Sequence, residues 1–210
     1  MLLRIWCDVK MTAADAARFA EQLAPHELLW SEAAQVAAGL TDQPSARFED
    51  ADVAYGQPDV EQCLASTRLT WVHLRSAGWD RFDQPRVRAR FAERGAMLTT
   101  SAGVYSEPCA QHVLALMLSE ARQLPRSIRH QLTDHAWPQH ETRAACSLLG
   151  PEATVVLVGF GSIATRVAEL LAPFGARVIG VRRTPNGAEP VPTVALSELP
   201  AVLREADHVV

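Results

Sequence analysis

Apolar runs short enough to be strands alternate along this chain with stretches whose apolar residues recur every three or four positions, the pattern of parallel α/β layers. The first run covers residues 2–9. Thr12 then caps a helix in which Ala16, Phe19, Ala20 and Leu23 share one face, and Pro25 ends it. Residues 28–30, 53–55, 71–74 and 97–99 read as further strands, and 58–65 and 85–94 as helices that open on proline. Together they make a small α/β domain over residues 1–100.

The next helix starts at Ser106, read as its N-cap, with Pro108 in the first turn. Residues 113–118 are apolar on every side, which places this helix between domains or in a dimer contact. Residues 126–149 are polar and aperiodic, as in a surface connection, so 101–152 read as an interdomain helix and connector. A second domain, 153–210, then opens with the β-branched run 154–158, of the kind buried in a parallel sheet. After a glycine turn, Ile163, Val167, Leu170, Leu171 and Phe174 form one helical face that closes at Gly175. Strands at 177–181 and 191–195 come next, then a helix at 197–205 and, at 207–210, a fourth strand placed beside the first.

The glycine turn carries the clearest chemistry. Gly159, Gly161 and Ala164 are spaced Gly-x-Gly-x-x-Ala between strand and helix: a tight turn, close backbone approach to a pyrophosphate, and close packing of helix on strand. That context marks a dinucleotide cradle. At the end of the following strand, where an acid would receive the ribose 2′-OH of NAD, stand Arg182, Arg183 and Thr184. Guanidinium groups pair with a phosphate, so NADP is favoured, with NAD possible. Earlier, Ser76, Ala77 and Gly78 form a turn at a strand's C-terminal end. It can offer successive amides to an anion, or be an ordinary turn with Asp80 or Asp83 capping the segment after it.

Composition narrows the partners. With 48% apolar and 21% charged residues and a net charge of −4, the 210-residue chain has the balance of soluble globular proteins and no global attraction for nucleic acid. Arg4, Asp8 and Lys10 interrupt what would be a signal peptide's apolar core, and no run of about 18 apolar residues offers a membrane span, so a cytoplasmic location is expected. Cys7, Cys63, Cys109 and Cys146 are far apart and read as free thiols rather than a zinc site or disulfide framework.

In order along the chain, DVAYGQPDV, LTWVHLRSAGWDRFD, TSAGVYSEPCAQHVLALML, LVGFGSIATRVAELLAPFGARVIGVRR and LREADHVV resemble the D-isomer-specific 2-hydroxyacid dehydrogenase family. The resemblance implies two Rossmann-like parallel-sheet domains: a flavodoxin-like substrate domain, and a dinucleotide-binding domain of which this chain holds the first part. It implies hydride transfer between NAD(P)H and a small 2-keto acid of the glyoxylate or hydroxypyruvate kind, and a homodimer for the complete enzyme. By the same resemblance Ser76, Ala77 and Gly78 hold the substrate carboxylate through backbone amides. Gly159, Phe160, Gly161, Ser162 and Ile163 cradle the pyrophosphate, and Ser106 lies near the nicotinamide. Ala110-Gln111-His112 departs from the family's Ala-Glu-His.

The family's catalytic Arg, Glu and His come after the segment that matches the end of this chain. No catalytic residue is therefore assigned here, and the 210-residue chain is expected to be inactive alone. Of the seven histidines, His73 and His112 read as hydrogen-bonded structural residues in apolar surroundings, His130, His135 and His140 as solvated connector, and His208 as opening the last strand. Two other readings stay open: an NADP-binding or subunit-pairing protein without catalysis, and a Rossmann protein of different chemistry such as a methyltransferase.

Overall fold

Alternation within each strand explains why both sheets are covered on both faces. β1 (Arg4–Cys7) turns Trp6 to one side and Cys7 to the other, and β2 (Glu27–Trp30) does the same with Leu29 and Trp30. Trp6 and Leu29 join a core with Ala54, Val72, Leu74, Phe82 and Phe91, while Cys7 and Trp30 pack with Ala16, Ala34 and Ala38 on the opposite face. The other strands of this sheet are β3 (Val53–Gly56), β4 (Trp71–Leu74) and β5 (Met97–Thr100), all parallel, in the order β2-β1-β3-β4-β5. That is the flavodoxin-like winding.

In the computed structural model residues 2–38 and 47–210 are described, and the chain divides into two units, Met1–Ala102 and Gly103–Val210. The helices of the first unit obey local signals. α1 (Ala13–Leu23) starts where Thr12 accepts the Asp15 amide, and α3 (Val60–Ala65) where Asp59 accepts from Glu61 and Gln62. α4 (Pro85–Arg94) opens on its proline and stops at Gly95, whose φ of +63° completes a left-handed cap. α2 (Glu32–Ala38), which the sequence pattern did not signal, begins after Ser31, whose hydroxyl accepts the Ala34 amide.

The second unit holds β6 (Thr154–Val158), β7 (Arg177–Arg182), β8 (Thr193–Ala195) and β9 (His208–Val209), parallel in the order β8-β7-β6-β9. Val155 and Leu157 face a core with Ala110, Met117, Val167, Leu171 and Val178; Val156 faces the other way, with Ile179 and Val181. α5 (Ser106–Ala121) and α8 (Ser162–Leu171) pack in the first of these cores, so residues 103–152 cluster with the nucleotide-type sheet and are not a free connector. The remaining helices are α6 (Leu124–Thr133), α7 (Gln139–Ala145) and the short α9 (Leu199–Val202), the last flanked by 3-10 turns.

Several expectations need correction. The stretch read as aperiodic carries α6 and α7, because Leu124, Ile128 and Leu132 recur every four residues on a face that stays exposed. Within the single chain α5 covers Ala110, Met117 and Ala121 and leaves Leu116 58% exposed, so the dimer-contact alternative stays open. Ser106 is the first helical residue rather than the cap, and Tyr105, at the cap position, makes no side-chain cap bond. His112 is exposed, so it is not the structural histidine expected there. Ile163 leaves the buried face of α8, which is made by Val167, Ala168 and Leu171.

Candidate functional site

Open parallel sheets bind ligands beyond the carboxyl ends of their strands, where the winding reverses direction. In the second unit that point lies between β6 and β9, and the segment leaving β6 there is Gly159, Phe160 and Gly161. Gly159 has φ of +93°, a left-handed conformation that a side chain would strain, and its amide donates to Val181 O at 2.8 Å. Phe160 turns its ring into the core, where it is 8% exposed, so only its backbone faces the loop. Gly161 stands at the N-cap position of α8 with no side chain capping the helix, and a Cβ built on it meets nothing within 4 Å.

The start of α8 therefore presents uncapped amides and the positive end of a helix dipole to open space. Ser162 and Ile163 are exposed beside it, and Ile163 at 39% can cover an apolar part of a ligand. This fits a pyrophosphate: room for close approach, donors aimed outward, and no acid within the turn itself. A salt-bridge cluster braces the helix behind it. Arg166 binds Glu107 at 2.5 Å and Glu169 at 2.7 Å, and the Gln111 amide reaches Glu107 at 2.5 Å. Arg166 foremost, then Gln111, holds the Glu107 carboxyl below its usual range, and the two acids push the guanidinium's pKa up. Gln111, the departure from the family pattern, thus serves as a donor to Glu107.

At the end of β7 the three predicted residues separate. Arg183 and Thr184 are exposed, whereas Arg182 turns back and donates to Glu189 at 2.8 Å. Sequence reasoning had no signal for Glu189, seven positions on in a loop. Ser106 lies apart from these at the start of α5, and its buried Oγ has no hydrogen-bond partner among the described residues.

In the first unit the winding reverses between β1 and β3, and the loops leaving β1, β3 and β4 carry Asp8, Gln57 and the 76–78 turn. Asp8 accepts the Gln57 amide at 3.0 and 3.1 Å. The Gln57 side chain donates to Ser76 Oγ at 2.8 Å and accepts from Arg81 at 2.6 Å, and Ser76 Oγ in turn donates to Gly78 O at 2.7 Å. This chain of bonds fixes the turn from within. Ala77 and Gly78 are exposed, and among the described residues their amides have no acceptor, as a carboxylate-binding turn requires. Behind it, His73 has both ring nitrogens engaged, with Thr99 at 2.7 Å and Ser101 at 3.0 Å.

Comparison with known proteins places this geometry. Residues 114–210 match the model of the D-isomer specific 2-hydroxyacid dehydrogenase NAD binding domain. A D-3-phosphoglycerate dehydrogenase of Mycobacterium tuberculosis is 31% identical over 121 residues, 58% of this chain and 21% of the relative. A structure of a D-isomer specific 2-hydroxyacid dehydrogenase family protein from Aeromonas salmonicida superposes with a TM-score of 0.76 at 23% identity, over 100% of this chain and 63% of that one. An NADPH-dependent glyoxylate/hydroxypyruvate reductase from Sinorhizobium meliloti, solved with NADP and sulfate, gives a TM-score of 0.70 at 19% identity over 99% and 61% of the two chains. The chain thus spans about a fifth of the length of the curated relative and under two thirds of these two solved chains.

Proposed function

We propose that this chain, whose residues 114–210 match the NAD binding domain of the D-isomer specific 2-hydroxyacid dehydrogenases, serves hydride transfer between NADP(H) and a small 2-keto acid of the glyoxylate or hydroxypyruvate kind. The reaction would convert the 2-keto acid to the 2-hydroxy acid, with a hydride added at the carbonyl carbon and a proton at its oxygen. The observation that carries this reading is the uncapped start of α8 beside Gly161, where a pyrophosphate finds space and donors together. When bound, the nucleotide supplies the hydride. Gly159, Gly161, Ser162 and Ile163 hold its diphosphate, Arg182, Arg183 and Thr184 lie at the adenosine end, where Arg183, in no ion pair among the described residues, favours NADP over NAD, and Ser106 stands toward the nicotinamide. The Ala77 and Gly78 amides, held by Ser76, take the substrate carboxylate.

A second reading, an NADP-binding chain without turnover, is favoured by one observation. Among the described residues the only histidine in ion-pair range of an acid is His130, with Asp134 at 3.1 Å, and both lie at the end of α6 away from either loop in sequence. Fluorescence titration with NADPH, followed by absorbance assays with glyoxylate and hydroxypyruvate, separates the readings. Binding with oxidation supports the first, binding without oxidation the second, and no binding overturns both.

The exposed Leu116, Ile128, Leu132 and Trp137 support pairing of two copies through the helical side of this unit, in a cytosolic protein. Light scattering of L132E against the unaltered chain tests the pairing: a dimer that persists unchanged in the variant counts against this face.

A further inference from the structure

The loop after β7 is folded around one carboxylate. The Glu189 side chain is 5% exposed; its Oε1 accepts from the Asn186 amide at 3.0 Å and from Arg182 Nη1 at 2.8 Å, and its Oε2 accepts the Gly187 amide at 2.9 Å. Asn186 Oδ1 accepts the Ala188 amide at 3.0 Å, and Gly187 supplies the φ of +76° that lets the turn close. The Asn186 amide foremost holds the Glu189 carboxyl below its ordinary range, against the opposing effect of burial. The acid is therefore ionised at neutral pH. A guanidinium locked to a carboxylate presents a dipole rather than a net charge to a third group. Arg183, next along the chain, is exposed and forms no ion pair among the described residues.

We propose that Glu189 sets nucleotide discrimination: by neutralising Arg182 it leaves Arg183 alone to attract the 2′-phosphate of NADP, and so limits the size of the preference over NAD(H). The inference rests on the NADP(H) reading of this site. Glu189 is a positioning residue that acts through Arg182, and its signature is a change in the ratio of two affinities rather than in overall binding.

Equilibrium titration of the 210-residue chain with NADPH and with NADH, for four variants, tests it. In E189Q the freed Arg182 charge tightens NADPH about five- to tenfold, the effect of one unit charge about 4 Å from a phosphate at the dielectric of water, while NADH shifts less than twofold. E189D, which keeps the charge, retains the original ratio. R183A loses most of the NADPH preference. The double variant R182M/E189Q, which replaces the pair by two neutral side chains, keeps the original ratio and serves also if E189Q alone fails to fold. An unchanged ratio in E189Q, or a double variant that loses discrimination as R183A does, overturns the proposal while leaving nucleotide binding intact. Failure of the unaltered chain to bind either nucleotide overturns instead the dinucleotide reading on which it rests.

Discussion

Adding one methyl group to Gly180 tests how the sheet and the nucleotide loop depend on each other. Gly180 lies in the middle of β7, and a Cβ there would sit 2.6 Å from Phe160 Cδ2 and 2.6 Å from Thr193 Oγ1. Carbon contacts settle near 3.5–4.0 Å, so each neighbour must retreat by about 1 Å. Thr193 can do so only by giving up its 3.0 Å bond to Val191 O, and Phe160 only by shifting within the core that anchors the Gly159 turn. Overpacking of this kind costs about 1–3 kcal/mol, and the lost freedom of glycine in the unfolded chain offsets about 0.4–1 kcal/mol. The net is about 1–2 kcal/mol, or a melting point lowered by roughly 4–16 °C for a unit of this size. Thermal melts followed by circular dichroism, with amide exchange in β6 and β7 to localise the change, read the stability; NADPH titration reads the displaced loop. G161A is the counterpart. Its new methyl meets nothing in the fold, so stability stays near that of the unaltered chain while NADPH affinity falls. A G180A chain that melts within about 1 °C of its parent and binds NADPH equally refutes the reasoning.

Three other outcomes are expected. Leu157→Ala, at a side chain with 0% exposure, destabilises the second unit by about 2–5 kcal/mol, whereas Leu148→Ala, at a residue 77% exposed, stays within about 0.5 kcal/mol; urea unfolding compares them. Glu107 has a depressed pKa, so its pairing with Arg166 contributes above the ordinary carboxylate pKa and is lost as pH falls through the folded value. The melting-point gap between the parent and E107Q is then present at about pH 7 and narrows as pH falls through and below the ordinary carboxylate range, and a gap that does not change over that descent contradicts the pairing. Burial raises the Cys7 thiol to about 11 and the Cys63 thiol to about 12, leaving roughly one thiolate in a thousand and one in ten thousand at about pH 8. A thiol reagent therefore labels half-buried Cys109 and Cys146 first, and Cys7 and Cys63 only on unfolding, which peptide mapping resolves.

The range of the forces involved decides how much can be read in advance. The Thr12 cap, the Pro85 start and Gly95 stop of α4, and the β-branched run of β6 are local, and each lies where its residues place it. The period of α6 was equally present in Leu124, Ile128 and Leu132, set off by Arg126, Arg129 and His130, but a stripe of three apolar residues in a polar stretch does not stand out as one, and its face stays exposed. α2 is seven residues long, too short to show a period. In the nucleotide loop the spacing of Gly159, Gly161 and Ala164 was legible, but the fate of the Phe160 ring depended on Gly180, twenty positions away in the neighbouring strand. Arg182 carried its charge openly in the sequence; its engagement by Glu189 exists only once the loop folds back on itself.

Gly56 and Asp8 illustrate a constraint of another kind. Gly56 has φ of +134°, and the space its side chain would take is filled by the Asp8 carboxylate that holds the Gln57 amide. Neither residue can be replaced freely while the other stands: a side chain at 56 evicts the acid, and loss of the acid releases the segment whose glutamine steadies the 76–78 turn. Across a gap of forty-eight positions the two are sterically interlocked. A change at either position that keeps the 76–78 turn in place therefore calls for a compensating change at the other.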